Sequence, residues 1–165
     1  MKQYPKHGRG KNLETEPTPD MASELAGWVE LGKKDEALKL ARRIFRQRTI
    51  RPEAFNEAVD ALVTLADALK RWSPVVESAY ARLTKRAQRA VRHSMLNFYY
   101  SADNFESARC FIPRRFEREA NLLDLAFGLD TLLELGRIED AGRVARRVAL
   151  AIEEVEDLTT VHFTT

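Results

Sequence analysis

The sequence predicts an all-α fold made of stacked helical hairpins. Residues 32–37 and 136–141 share one pattern: an apolar helical run ends at a glycine, polar residues turn the chain, and a second helix begins with acidic residues and a small one. The same frame fits two intermediate turns, at Lys70 and Asp103, so the four turn positions are separated by 38, 33 and 33 residues. Because a hairpin of two helices cannot bury its apolar face alone, repeats of this length stack on one another. We therefore expect a helical scaffold that holds a partner.

Length and composition fit a single helical domain. The 165 residues lie within the ~100–200 that one core commonly serves. Apolar residues make up 44% and charged residues 32%, which excludes a mostly disordered chain. The single cysteine, Cys110, cannot form an internal disulfide. No run approaches the roughly 18 apolar residues that span a bilayer, and the polar N-terminus has no secretory signal. We expect a cytoplasmic protein that does not bind membranes.

The predicted domain begins at Asp20, after a polar tail, residues 1–19, that is expected to be disordered. Asp20 can accept hydrogen bonds from the free amides of a helix start. Apolar residues then recur at helical spacing up to Gly32, where glycine takes the left-handed cap conformation without strain. The return helix is expected to reach about Arg48. Pro52 suits the first turn of the next helix, because no amide needs a partner there.

The second and third hairpins are less regular. The first helix of the second is expected to extend to Leu69, with a turn at residues 70–73 and Ser73 starting the return helix. In the third, a helix over about residues 91–102 precedes a turn at residues 103–104. Its return helix is expected to be short or kinked, since Pro113 would clash with a carbonyl one turn earlier.

The fourth hairpin has the clearest pattern. Apolar residues recur at helical spacing in residues 122–135 and 138–152, on either side of Gly136. Residues 153–165 are expected to form an acidic helix end and a loose C-terminal tail. A polar outer face suits a terminal repeat, because no neighbour covers it.

These hairpins resemble those of the tetratricopeptide repeat (TPR) family over residues 20–152. The best matches are residues 32–41 and 136–145. Ala37, Ala108 and Ala141 occupy the small-residue position where two helices cross closely, and Val75 is a larger exception. The resemblance implies a right-handed α-solenoid of about four antiparallel hairpins, whose first helices line a concave groove.

Charge is sorted by helix. The first helices of hairpins one, two and four are net acidic, whereas residues 33–51 and 70–87, in the return segments, are net basic. Cations near helix C-termini complement the helix dipole, so the sorting has a structural explanation beside the functional one of two faces of opposite sign. The family resemblance places these residues in the groove: Glu30, Glu57, Asp60, Thr64, Asp67, His93, Asn97, Tyr100, Asp130, Leu133 and Glu134. Family members that clamp a C-terminal carboxylate use Lys, Arg and Asn there, and only Asn97 is present, so this chain should not be of that type.

Nothing in the sequence points to catalysis, a cofactor or a metal. His7, His93 and His162 are far apart, and His93 is expected to be a surface or groove residue because no nucleophile or oriented acid is recognisable beside it. Cys110 is expected to be a small buried hydrophobe. The alternative is a reactive thiol, if Cys110 and Arg109 are both exposed. We expect that the chain is not an enzyme.

The leading functional hypothesis is a scaffold or adaptor whose acidic groove binds a basic or amphipathic segment of a partner protein. One alternative is nucleic-acid binding through the arginine-rich return helices. The net charge of only +2 is an argument against it, because nucleic-acid-binding domains are usually strongly basic. A small TPR-type secretion chaperone is another alternative. The sequence leaves the oligomeric state open.

Overall fold

The computed structural model describes residues 20–112 and 122–161, and these residues are helical with short connections. The predicted all-α class is therefore confirmed for the described residues. The helices are α1 (Met21–Glu30), α2 (Lys34–Arg46), α3 (Pro52–Leu65), α4 (Ser73–Arg82), α5 (Lys85–Ala90), α6 (Arg92–Ser101), α7 (Phe105–Arg109), α8 (Leu122–Glu134) and α9 (Ile138–Val161), with a 3-10 turn at Leu69–Trp72 before α4. The predicted tail at residues 1–19 and Pro113 lie outside the described residues.

Three turns between consecutive helices have the same hydrogen-bond geometry. Gly32, Asp103 and Gly136 follow α1, α6 and α8 with φ angles of 65°, 50° and 66°. In each turn the next amide donates back to a carbonyl five residues earlier: Lys33 to Trp28, Asn104 to Tyr99 and Arg137 to Leu132, at 2.9, 2.9 and 2.8 Å. This is the pattern by which a left-handed residue ends a helix and satisfies its last carbonyls. The predicted left-handed cap at Gly32 is confirmed, and Gly136, predicted to end a helical run, takes the same conformation.

The connection after α3 is different, and the predicted helix to Leu69 is wrong. α3 ends at Leu65, and Ala66 leaves it in the extended region, where an alanine side chain is unstrained. A 3-10 turn follows, and Ser73 begins α4 directly after it without capping the helix through its side chain. This longer path accounts for the wider spacing of 38 residues between the first two turn positions.

Other helix ends follow from local chemistry. The Asp20 carboxylate accepts from the Ala22 amide at 3.4 Å, as predicted, and Pro52 stands in the first turn of α3. α7 has only 5 residues and ends at Arg109, which confirms the expectation of a short return helix. α9 runs through the acidic segment to Val161.

The helices that precede the turns pack in chain order. α1 contacts α3, α3 contacts α6, and α6 contacts α8, while α2 contacts α4. Each of α1, α6 and α8 also contacts the helix that follows its turn. The alanines at the predicted close crossings, Ala37, Ala108 and Ala141, are all buried, and Val75 is half-buried.

In residues 20–112 and 122–161 the buried side chains form two core clusters. The larger extends from α1 to α7 and contains a series of aromatic contacts: Phe45 to Phe55 at 5.6 Å between ring centroids, Phe55 to Tyr80 at 6.4 Å, Tyr80 to Phe111 at 5.5 Å, and Phe111 to Tyr99 at 5.6 Å. The smaller cluster, between α8 and α9, consists of Leu125, Leu132, Ala141 and Val144. Ile112 packs against both clusters.

Candidate binding surfaces

Most of the predicted groove residues lie on exposed faces of three helices that contact one another in series. We call this set the acidic surface, and it consists of Glu57, Asp60 and Thr64 on α3, His93, Asn97 and Tyr100 on α6, and Asp130, Leu133 and Glu134 on α8. On α3 and α6 the members are three, four or seven residues apart, and on α8 Asp130 lies three residues before Leu133 and four before Glu134, which places them on one face of each helix. Seven of the nine are exposed, and Asn97 and Tyr100 are partly buried. Because α6 contacts both α3 and α8, the three faces adjoin.

Asp60 on α3 lies close to His93 on α6. The surrounding protein partly desolvates the Asp60 carboxyl and raises its pKa above the usual range, and the nearby His93 lowers it by a smaller amount. His93 Nε2 lies 3.1 Å from Ser94 Oγ, and the buried Ser94 hydroxyl donates to Asn56 Oδ1 at 2.7 Å. The Ser94–Asn56 bond joins α6 to α3 next to His93.

Tyr100 on α6 joins the acidic surface to α8. Its hydroxyl donates to Asp130 Oδ2 at 3.2 Å, and its ring lies 4.8 Å from that of Phe127 and 5.9 Å from that of Phe105. Desolvation raises the pKa of the Tyr100 phenol, with further contributions from the Asp130 hydrogen bond and the negative charges of Asp130, Glu134 and Asp103. Acidic and aromatic groups therefore meet at this end of the surface.

Two predicted groove residues are placed differently. Asp67 was expected on the first helix of the second hairpin, and this is wrong because α3 ends at Leu65. Its carboxylate pairs instead with Lys34 Nζ at 2.5 Å, next to the start of α2. Glu30 is exposed at the last position of α1, a helix that contacts α3.

Two arginines of the return segments, and Arg92 at the start of α6, make internal contacts. The Arg82 guanidinium donates to the Phe45 carbonyl near the end of α2, and Arg92 donates to the carbonyls of Phe111 and Ile112 at 2.9 and 2.7 Å. Arg42 lies over the Trp72 ring, 4.8 Å from its centroid. Part of the positive charge of the return segments therefore has a structural role, since Arg82 satisfies a carbonyl near the end of α2 and Arg42 packs on an aromatic ring.

A second site is a cleft between α7 and the α8–α9 pair, with a volume of about 560 Å³. We call it the arginine cleft, and it is lined by Arg109, Cys110, Ile112, Leu132, Arg137, Asp140, Arg143, Val144 and Arg147. Sequence reasoning missed it, because its arginines come from α7 and from the α8–α9 turn and α9, which are far apart in the chain. The prediction that Cys110 is buried is wrong: α7 ends at Arg109, and Cys110 is exposed on the wall of the cleft.

Within residues 20–112 and 122–161, no three His, Cys, Asp or Glu side chains are grouped as metal ligands. No helix in the described part of the chain has the length and apolar character needed to cross a membrane.

No family model matches the chain, and neither a curated protein nor a solved structure matches it. The resemblance to TPR hairpins therefore stays a prediction from the residues.

Proposed function

We propose that this chain is a TPR-like, right-handed α-solenoid that serves as a non-enzymatic scaffold for protein–protein interaction. The order of packing supports the solenoid, because α1, α3, α6 and α8 contact one another in sequence while α2 contacts α4. The three matching turns support a repeated unit, since each ends a helix with the same left-handed geometry. The handedness follows from the family resemblance.

The partner in this proposal is a basic or amphipathic segment of another protein, bound on the acidic surface. The observation that carries it is the continuity of this surface across α3, α6 and α8. Asp60 lies near His93 at one junction, and Tyr100 bonds Asp130 at the other. Carboxylates would attract cationic side chains, while the Tyr100 and Phe127 rings and the exposed Leu133 would contact apolar ones.

The cytoplasm is the proposed location. The single cysteine supports it, since one thiol allows no internal disulfide and such chains suit a reducing compartment.

The test reverses charge on each face in turn. Proteins captured by crosslinking to the wild-type chain in native extract are identified by mass spectrometry, and affinity is then measured with the purified partner segment. Glu57→Lys with Glu134→Lys changes two exposed residues on α3 and α8, so the fold should remain intact, since such changes usually stay within about 0.5 kcal/mol each. Binding should weaken more than tenfold, because two attractions become two repulsions.

The matched control is Arg43→Glu with Arg146→Glu, which changes two exposed residues on α2 and α9. It should leave the affinity for the same segment nearly unchanged. If the control variant loses the partner and the acidic-surface variant keeps it, the binding face is the one rich in arginine and the proposal is wrong.

A further inference from the structure

The arginine cleft holds more positive than negative charge. Arg109 reaches it from the end of α7 and pairs with Glu106 at 3.2 Å. Arg137 and Arg143 reach it from the opposite wall, and both pair with the carboxylate of Asp140. One carboxylate shared by two guanidinium groups leaves a positive charge in that trio unbalanced. A concave surface of one sign concentrates counter-ions, so this cleft favours an anion.

Asp140 also fixes where the two guanidinium groups lie. Its side chain is only 20% exposed, and it accepts from Arg137 three residues before it and from Arg143 three residues after it. A guanidinium group has five N–H donors in a planar fork, so bonding to Asp140 leaves donors for a ligand. Two forks held side by side match the oxygens of a phosphate group better than a single point charge would.

Apolar side chains form part of the cleft lining. Leu132 and Val144 are buried in the cluster between α8 and α9, and the partly buried Ile112 completes the lining. The volume of about 560 Å³ falls within the roughly 300–1,000 Å³ of small-molecule sites. We infer that the arginine cleft binds a small organic phosphate monoester, whose phosphate contacts Arg137 and Arg143 and whose aryl or nucleoside body contacts the apolar part of the lining.

Cys110 provides a reporter for this site. It is the single cysteine of the chain, and its exposed side chain lines the cleft. The experiment measures the rate at which iodoacetamide alkylates Cys110 in the full chain. It is repeated in the presence of AMP, phenyl phosphate, inorganic phosphate, adenosine or a short single-stranded RNA, and the affinity of each is measured by calorimetry. AMP and phenyl phosphate should slow alkylation at least about fivefold at saturation, and adenosine should not.

Substitutions of Arg137 and Arg143 separate the effect of positive charge on binding from the effect of guanidinium geometry. Arg137→Gln and Arg143→Gln should each weaken AMP binding at least about tenfold, since hydrogen bonds between charged groups contribute that much. Arg143→Lys keeps the charge without the fork and should bind AMP with intermediate affinity. Arg43→Gln removes an exposed arginine on α2 and should leave both the affinity and the protection of Cys110 unchanged. Circular dichroism confirms that the variants compared are folded.

Three results would overturn the inference. The first is that neither AMP nor phenyl phosphate binds or protects Cys110. The second is that adenosine binds as tightly as AMP, which would show that the phosphate is not recognised. The third is that the RNA binds, with steep dependence on salt, while both monoesters fail, which would assign the arginines to a polymer backbone instead.

Discussion

Replacing Gly136 by alanine tests the turn geometry found at three places in the chain. An alanine Cβ there would meet no atom within 4 Å, so the substitution introduces backbone strain without a clash. The left-handed conformation costs a non-glycine residue about 1–2 kcal/mol. Loss of conformational freedom in the unfolded chain offsets about 0.4–1 kcal/mol of this. The free energy of unfolding should therefore fall by about 1 kcal/mol, which lowers Tm by about 2–4 °C in a domain of this size.

The same chemical change at Gly142 is the matched control. Gly142 is exposed in the interior of α9, and a Cβ there also meets no atom within 4 Å. Because alanine favours the helix over glycine, Gly142→Ala should raise the free energy of unfolding by about 0.5–1 kcal/mol. Asp103→Gly should stabilise the chain by up to about 1 kcal/mol, since it relieves a non-glycine residue of a φ of 50°.

Urea and thermal unfolding followed by circular dichroism measure all three variants against the wild type. The reasoning requires opposite signs for the two alanine substitutions. If Gly136→Ala is neutral or stabilising, the turn is not left-handed and the equivalence of the three turns is lost.

Three further predictions concern the core, an internal tyrosine and nucleic acid. Ala141→Arg should lower the free energy of unfolding by several kcal/mol through overpacking and a buried charge, whereas Ala145→Arg, exposed on the same helix, should change it by less than about 0.5 kcal/mol. Burial raises the pKa of the Tyr99 phenol, and its bond to Glu77 at 2.7 Å raises it further. Because the Tyr99 phenol ionises less readily in the folded protein than in the unfolded chain, raising the pH above the unfolded pKa of about 10 destabilises the folded state. Tyr99→Phe removes this effect and should therefore reduce the fall in unfolding free energy between pH of about 8 and 11. Duplex DNA should show no binding at about 50 mM salt, and a measured affinity with a log–log salt slope near −0.9 per phosphate would contradict this.

The parts of the fold that depend on local chemistry were predictable from the sequence. Gly32 and Gly136 end helices because glycine adopts a positive φ without strain, and Asp20 caps because a carboxylate accepts from free amides. The residues of the acidic surface on α3, α6 and α8 were selected by the family resemblance and not by a local pattern, and seven of these nine residues are exposed.

Features that depend on tertiary contacts were not predictable in this way. The apolar residues after Leu65 continue the helical pattern, yet α3 ends there, and Leu69 and Trp72 pack against the core from a 3-10 turn instead. The small hydrophobic side chain of Cys110 predicts a core residue, but Cys110 follows the end of the short α7 and is exposed there. The arginine cleft forms only because α7 packs against α8, and no local sequence pattern predicts that contact.

The division of the core into two clusters has a consequence for how the protein opens in its native state. In the described residues only four buried side chains, with a few partly buried neighbours, hold α8 to α9, whereas the larger cluster with its chain of rings joins α1 to α7. The α8–α9 pair should therefore open as a separate cooperative unit, and its amides should exchange with solvent deuterium sooner than those of α2, α3 and α6. Both tryptophans, Trp28 and Trp72, lie in the part built on the larger cluster. Tryptophan fluorescence would therefore report only the unfolding of the part built on the larger cluster. Circular dichroism, which measures the helix content, would also record the earlier unfolding of α8 and α9.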